Sequence, residues 1–308
     1  MCGALKREES VKIGIAGTGR MGAAMGARLI EMKHELTVWN RSAARTQPLA
    51  DLGAKAAGTP AEVARQSEVI ITILTDAKAI GDVYNGKDGL LSGDVKGKLF
   101  IEMSTVRPET EKELARAATA KGAAFVECPV GGSVGPAREG KLLGFIGGSD
   151  ADAARARPVL EQLCRRVEHI GPAGAGAAMK LAINLPLLVY WQVFGEALSL
   201  VRPYGVDPER LISIFTETSG GPNVLKFRGA VTAAALAGKP EGAVTFDLDS
   251  LRKDLRTMIE EGKSLGRPMP VVMKALELYD AASRDGWGAR DIATHPAYWV
   301  GHGKESGK

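Results

Sequence analysis

The sequence predicts an α/β domain with a mostly parallel sheet, followed by an all-α domain joined to it by a long interdomain helix. Three observations carry this. Short β-rich runs alternate with amphipathic stretches over the first half of the chain, as in consecutive βαβ units. The run Val69-Ile70-Ile71-Thr72-Ile73-Leu74 is almost continuously apolar, as a strand must be when helices cover both faces of its sheet. After Gly171 the strand signals nearly vanish and apolar residues recur at helical spacing.

In chain order, residues 11–16 read as a buried strand, 20–32 as a helix and 36–39 as the next strand. Residues 69–74, 99–103 and 124–126 give further strands. Pro108 opens a helix as a first-turn proline, behind a loop containing Ser104 and Thr105. Residues 142–146 and 166–170 extend the sheet and flank a helix whose start is marked by Ser149 and Asp150. Helical periods then cover 175–202, 208–216, 250–264 and 270–283. Gly205 reads as a helix stop, and Asp207-Pro208 as a cap with proline in the first turn. The domain boundary is placed at 170/171. Pro186 is expected to kink its helix, because it removes an N–H and crowds the preceding turn. The tail from His295 carries no periodicity and is expected to be partly disordered.

Of 308 residues, 45% are hydrophobic and 25% charged, which is ordinary for a globular chain and long enough for two domains. No uninterrupted apolar run approaches the ~18 residues that span a bilayer. Residues 1–10 lack an apolar export signal, and Cys2 lacks the apolar stretch a lipoprotein signal would need. Cys2, Cys128 and Cys164 have no metal-ligand spacing and cannot all pair, so a reduced cytoplasmic protein without metal is expected. A net charge of +4, evenly mixed, disfavours nucleic acid but suits an anionic substrate or a phosphate-bearing cofactor. No fixed-period repeat suggests a solenoid.

Gly17-Thr18-Gly19-Arg20-Met21-Gly22 is a GxGxxG directly after a strand and directly before a helix. The first glycine permits the tight turn and the second lets backbone approach a pyrophosphate. The third lets helix and strand pack closely, and the helix N-terminus faces the phosphates. In a chain with 38 glycines the motif alone is weak. In this context it predicts a Rossmann dinucleotide site. NAD sites place an acid at the end of the second strand, to grip the ribose diol. Here that position reads Trp39-Asn40-Arg41-Ser42, with no carboxylate. A guanidinium beside a neutral amide suits a 2′-phosphate, so NADPH is expected in preference to NADH. The competing reading makes Arg41 a solvated loop charge.

The second domain opens on Gly171-x-x-Gly174-x-Gly176-x-x-x-Lys180-x-x-x-Asn184. Lys180 and Asn184, four apart, share one helix face. An ammonium in an apolar helix is costly to bury without a partner or a task. It could protonate a developing alkoxide as hydride reaches a carbonyl carbon. It could equally snorkel to the surface, and the residues alone leave the two readings level.

The chain resembles the β-hydroxyacid dehydrogenase family over residues 11–293, through four motifs in family order. These are the cofactor loop with Asn40-Arg41, the loop Pro129-Val130-Gly131-Gly132-Ser133, the glycine turn leading to Lys180 and Asn184, and Phe246 followed by Lys253-Asp254. The resemblance implies that Lys180 is the catalytic lysine and Asn184 the partner that orients substrate or lysine. It implies that Thr105 contacts the nicotinamide end and that Gly131, Gly132 and Ser133 hold a substrate carboxylate. Backbone amides in such a loop suit an anion. Phe246 would wall the site, and Lys253 and Asp254 would return to it from a later helix. Without the resemblance, Asp254 reads as an ordinary surface carboxylate. Leu74, Thr75 and Lys253 complete the expected cofactor-binding set. The implied substrate is a small carboxylate-bearing aldehyde or hydroxy acid, and the implied assembly a homodimer or homotetramer.

Three departures stand out. The family's usual Asp-Ala-Pro-Val-Ser-Gly-Gly is Glu127-Cys128-Pro129-Val130-Gly131-Gly132-Ser133 here, which moves the hydroxyl two positions along. Lys141 replaces a usual threonine, and Pro186 follows closely on Asn184. Ile183 stands where 6-phosphogluconate dehydrogenases carry histidine, which argues against that reaction. Imine reductases, and non-catalytic dinucleotide-binding scaffolds on this fold, usually lose the lysine that this chain keeps.

Overall fold

A computed structural model describes residues 10–302 of the protein. The expectations for Cys2, for the remainder of the N-terminal segment 1–9 and for the last residues, 303–308, lie outside them. The chain divides into two compact units between Leu181 and Ala182, within a helix, whereas the sequence reading placed the boundary at 170/171.

The first unit follows the βαβ rhythm. Strand β1 (Lys12–Ala16) leads to α1 (Arg20–Glu31), β2 (Glu35–Trp39), α2 (Gln47–Ala50), β3 (Lys55–Ala56) and α3 (Pro60–Gln66). Next come β4 (Val69–Thr72), α4 (Ala77–Asn85), β5 (Leu99–Glu102), α5 (Pro108–Ala120) and β6 (Ala124–Glu127). The unit closes with β7 (Val130–Gly131), α6 (Val134–Arg138), β8 (Leu142–Gly148), α7 (Asp150–Leu163), β9 (Cys164–Gly171) and the start of α8 (Ala175–Val201). The sheet order is β3-β2-β1-β4-β5-β6-β8-β7, with β9 also paired to β8. Strands β1 to β6 are parallel, β8 runs antiparallel to β6 and β7, and β9 is parallel to β8. Thus α1 lies between β1 and β2, and the order reverses beside β1, the usual crevice for a ligand at strand ends.

Local chemistry sets the boundaries. Ser149 caps α7 by accepting from the Asp152 N–H at 3.1 Å, and Asp76 caps α4 through Ala79 N–H at 2.8 Å. Pro108 occupies the first turn of α5. Two apolar clusters line the sheet: one contains Ile13, Ile15, Met25, Leu29, Val38, Ile71 and Ile101, the other Val63, Ile70, Tyr84, Phe100 and Phe125. Each central strand feeds both clusters, which is why its sequence is apolar without alternation.

The second unit is helical: the rest of α8, then α9 (Pro208–Thr216), α10 (Asn223–Leu236), α11 (Leu248–Ser264), α12 (Pro270–Ala282) and α13 (His295–His302). Asp207 caps α9 and Asp247 caps α11. Trp191, Phe194, Leu251, Leu255 and Tyr279 are fully buried.

One sequence expectation is corrected. Residues 295–302 of the tail are helical rather than disordered, because they are anchored: His295 bonds Gln192 at 2.6 Å and Arg202 donates to the Val300 carbonyl at 2.5 Å. Helix α8 runs from Ala175 to Val201 with Pro186 inside it, matching the helical period expected over 175–202. The stretch Ala175–Tyr204 is long and apolar enough by length and composition to cross a membrane, with mean hydropathy 1.3, because its few charges are widely spaced. Of its apolar 18-residue window, 44% is buried within the protein. Helix α10 was missed, since its alanine-rich sequence shows no clear apolar stripe.

Two neighbouring carboxylates, Glu102 and Glu111, are fully buried in the first unit, as is Glu127. Glu102 ends β5 and is raised from its ordinary pKa by burial, offset in part by bonds from Ser104 and Thr72. Glu111, on α5, is raised well above the carboxylate range by burial and then by the neighbouring Glu102. Neither Glu111 oxygen finds a donor, as expected when its own proton is the hydrogen bonded to Glu102. A raised folded-state pKa means the folded state holds a proton the unfolded chain releases, so this pair's contribution weakens as pH rises above the ordinary carboxylate value. Glu111→Gln, which mimics the protonated acid, should raise the thermal midpoint at pH 8 by ~2–4 °C, about 1 kcal/mol. At pH 4.5 the gain should shrink. An equal gain at both pH values would show that the proton is not the cause.

Candidate active site

The cofactor loop forms at the carboxyl end of β1. Gly17 has φ +105°, and a Cβ there would collide with the Ile73 carbonyl. A Cβ on Gly22 would collide with the Gly17 carbonyl, so α1 reaches the turn only because both side chains are missing. Around Gly19, by contrast, a Cβ would meet nothing within 4 Å. The first turn of α1 has neither a side-chain cap nor an acid, which leaves its amides available to an anion. The loop therefore fits a dinucleotide pyrophosphate.

Asn40 holds the far side of this loop. Its side-chain oxygen accepts from the Thr18 N–H at 3.2 Å, while its amide nitrogen donates to the Ser42 carbonyl at 3.1 Å. Thr18 donates through its hydroxyl to the Arg45 carbonyl at 2.9 Å, and Gly17 N–H to Trp39 at 2.9 Å. Asn40 thus shapes the loop end, and Arg41 and Ser42 project from it exposed. Arg20, Met21, Leu74, Thr75 and Thr105 lie around the same strand ends; Thr75 is exposed, and Leu74 and Thr105 are half-buried. Ser104, treated in the sequence only as part of a loop, is buried and accepts from the Leu74 N–H at 2.7 Å while donating to Glu102. Glu102 also accepts the Ser104 N–H at 2.8 Å.

Lys180 sits in the second turn of α8, half-buried, and donates to the Val130 carbonyl at 2.6 Å. That carbonyl immediately precedes Gly131-Gly132-Ser133, so the ammonium is held at the base of the expected substrate loop. Gly131 is half-buried, and a Cβ there would make only ordinary contacts, nearest Leu143 and Phe145 at 3.7 Å. Gly132 has φ +123° and needs glycine. Ser133 is exposed and precedes α6 without capping it. Lys141 is exposed and paired with Glu139 at 2.7 Å.

Asn184 lies one helical turn beyond Lys180 and is buried. In the second unit, Lys253 and Asp254 sit on α11, where Lys253 Nζ meets Asp254 Oδ1 at 2.5 Å. Asp254 is 3% exposed, so it is not the surface carboxylate that its sequence alone suggested. Phe246 is half-buried in a loop held by Asp291, a residue the sequence did not single out. Asp291 accepts from Thr245 N–H at 2.8 Å and Thr245 hydroxyl at 3.1 Å, with a weaker contact to Phe246 N–H, and pairs with Arg228 at 2.5 Å. These donors hold its carboxyl below the ordinary range despite burial.

Glu127, noted in the sequence only where the family's aspartate stands and given no role, ends an apolar strand, which was a usable signal; the structure sets it in register with Glu102. It is fully buried and accepts from Gly174 N–H at 2.6 Å and Gly176 N–H at 3.1 Å. Burial raises its pKa, and those N–H bonds oppose the shift. No group of three or more His, Cys, Asp or Glu able to hold a metal occurs among the described residues.

Comparison with known proteins agrees with this layout. Residues 12–171 match the family described as the NAD binding domain of 6-phosphogluconate dehydrogenase. Residues 174–297 match that described as NAD-binding of NADP-dependent 3-hydroxyisobutyrate dehydrogenase. A probable mitochondrial 3-hydroxyisobutyrate dehydrogenase of Dictyostelium discoideum is 31% identical, covering 94% of this chain and 91% of its own. Glyoxylate/succinic semialdehyde reductase 1 of Arabidopsis thaliana is 32% identical, covering 92% and 96%. The structure of Mycobacterium tuberculosis 3-hydroxyisobutyrate dehydrogenase with L-serine superposes with a TM-score of 0.81 at 26% identity, over 94% of this chain and 98% of that one. With both parts of the fold matched and relatives aligned over nearly their full length, the chain belongs to the β-hydroxyacid dehydrogenase family, as an NAD(P)-binding oxidoreductase acting on hydroxyl donors.

Proposed function

We propose that the protein reduces a small carboxylate-bearing aldehyde with NADPH, and catalyses the reverse oxidation of the 3-hydroxy acid, with Lys180 as general acid and base. The observation that carries this is the Lys180 ammonium held 2.6 Å from the Val130 carbonyl, at the base of the Gly131–Ser133 loop. A proton donor must stand within hydrogen-bond reach of the oxygen it protonates, and here it is fixed beside the expected carboxylate loop. The L-serine in the mycobacterial structure is itself a small 3-hydroxy acid. NADPH, when bound, supplies the hydride. Residues 1–170 would carry it and the rest of the chain would complete the substrate site, with Asn184, Phe246 and Asp254 as substrate contacts and Lys253 also reaching the cofactor.

NADPH rather than NADH is supported by the absence of an acid near Asn40 and by the exposed Arg41 guanidinium. Two buried free cysteines fit a reducing, cytoplasmic compartment. Exposed Leu200, Tyr204 and Phe227 fit burial against further copies in a homodimer or homotetramer. A non-catalytic dinucleotide-binding role is the competing reading; absence of NADPH oxidation over a panel of aldehydes would favour it.

Arg41→Asp should weaken NADPH binding by roughly 10- to 100-fold, the scale of a charge-assisted hydrogen bond, and leave NADH binding unchanged or improved. A parent protein that prefers NADH in fluorescence titration would sink the assignment.

Gly131→Ser, which the local space admits, restores the family's usual hydroxyl position and should change the ranking of glyoxylate, succinic semialdehyde and uncharged aldehydes. Identical rankings in steady-state kinetics would count against a carboxylate-binding role for this loop.

Lys180→Met keeps the length and helix propensity but deletes the charge. It should lower kcat by ~10²- to 10⁴-fold, the usual worth of a general acid, with NADPH binding nearly intact. Turnover within a few-fold of the parent would show the lysine to be structural.

A further inference from the structure

The segment from Glu127 to Val130 meets the start of α8 twice. At its far end the Val130 carbonyl receives the Lys180 ammonium at 2.6 Å. At its near end the Glu127 carboxylate accepts the N–H groups of Gly174 and Gly176, at 2.6 and 3.1 Å. Gly176 precedes Lys180 by four residues, about one helical turn. The two contacts therefore fix both the position of the helix start along its axis and the reach of the lysine over the substrate loop.

The cradle around Glu127 is built for this side chain. A Cβ on Gly147 would collide with the Glu127 carboxylate, and one on Gly176 with the Phe145 carbonyl. Gly174 has φ +96°, and a Cβ there would press on Pro108 and Lys112 of α5 at 3.0–3.2 Å. Bare Gly147 thus leaves room for the carboxylate itself, while bare Gly174 and Gly176 let the helix start lie close to α5 and β8; there the end of the helix dipole favours negative charge. Its other oxygen, Oε2, is buried and unpartnered, so the burial is costly and the two N–H bonds are what offset it.

We propose that Glu127 is a positioning residue for the reaction: by holding the amides of Gly174 and Gly176 it sets the height of Lys180 over the Val130–Ser133 loop. This rests on Lys180 acting as proposed above. Nothing in the role requires Glu127 to touch substrate or cofactor.

The test uses Glu127→Met, close in length but without an acceptor, and Glu127→Gln, which keeps one acceptor oxygen. Kinetics with the best aldehyde are compared with NADPH titration and with the rate at which trinitrobenzenesulfonate labels Lys180, read by peptide mass spectrometry. Glu127→Met should lower kcat at least ~10-fold, leave KM and the NADPH Kd within about threefold, and speed Lys180 labelling. Glu127→Gln should recover most of kcat and the parent labelling rate. A Glu127→Met protein with parental kcat and parental labelling overturns the proposal, as does loss of NADPH binding in step with kcat. Should the methionine variant fail to fold, Glu127→Asp decides. The family's usual aspartate is compatible with the fold but one methylene short in this cradle, so a several-fold fall in kcat with faster labelling is expected, and parental values for both overturn the proposal. Labelling does not depend on turnover. A faster-labelled Lys180 in a protein whose Lys180→Met variant stays active would overturn the catalytic lysine while leaving the positioning of its side chain intact.

Discussion

The close approach of α1 to the end of β1 is the constraint on which the cofactor side of the molecule depends. Helix and strand can meet there only because Gly17 turns the chain at φ +105° and Gly22 lays its bare Cα against the Gly17 carbonyl. Side chains at either position would force the helix away from the sheet. The uncapped amides of α1 would then no longer point along the crevice beside β1. Asn40 ties the end of β2 to the same turn through Thr18, so the segment that would read the adenosine end of the cofactor is fixed by the segment that would bind its phosphates.

A second theme is negative charge kept inside the parallel sheet. Thr72, Glu102 and Glu127 stand side by side at the carboxyl ends of three neighbouring strands, and Glu111 approaches from α5. Desolvation of so many carboxyls is unfavourable unless donors meet them or protons neutralise them. Both solutions are present. Glu102 takes Ser104, Glu127 takes the glycine-turn amides, and Glu111 answers through its own proton. Each carboxylate that finds donors fixes a loop at the strand ends: Glu102 the loop whose Ser104 holds Leu74, and Glu127 the entry to α8.

The helical unit uses the same device once more. Asp291 is 2% exposed and gathers Arg228, Thr245 and Ala293, which anchors the loop carrying Phe246 just before the Asp247 cap of α11. The direction of α11, and with it the placement of Lys253 and Asp254, follows from a carboxylate nearly forty residues further along the chain.

By itself the sequence determined what depends on short-range chemistry. Strand runs, helix caps at Ser149 and Asp207, the first-turn Pro108 and the glycine pattern at 17, 19 and 22 are all encoded within a few residues of where they act. Lys180 was legible as a candidate because an ammonium in an apolar helix is conspicuous, but the sequence could not say whether it snorkels or engages the main chain. Tertiary structure decided that, by bringing Val130, fifty residues away in sequence, to 2.6 Å. It also decided that Asp254 is buried, that Ser104 supports a loop and that residues 295–302 form a helix. In each case the deciding partner is remote in sequence, and local pattern carries no information about which distant donor or acceptor will satisfy a buried polar group.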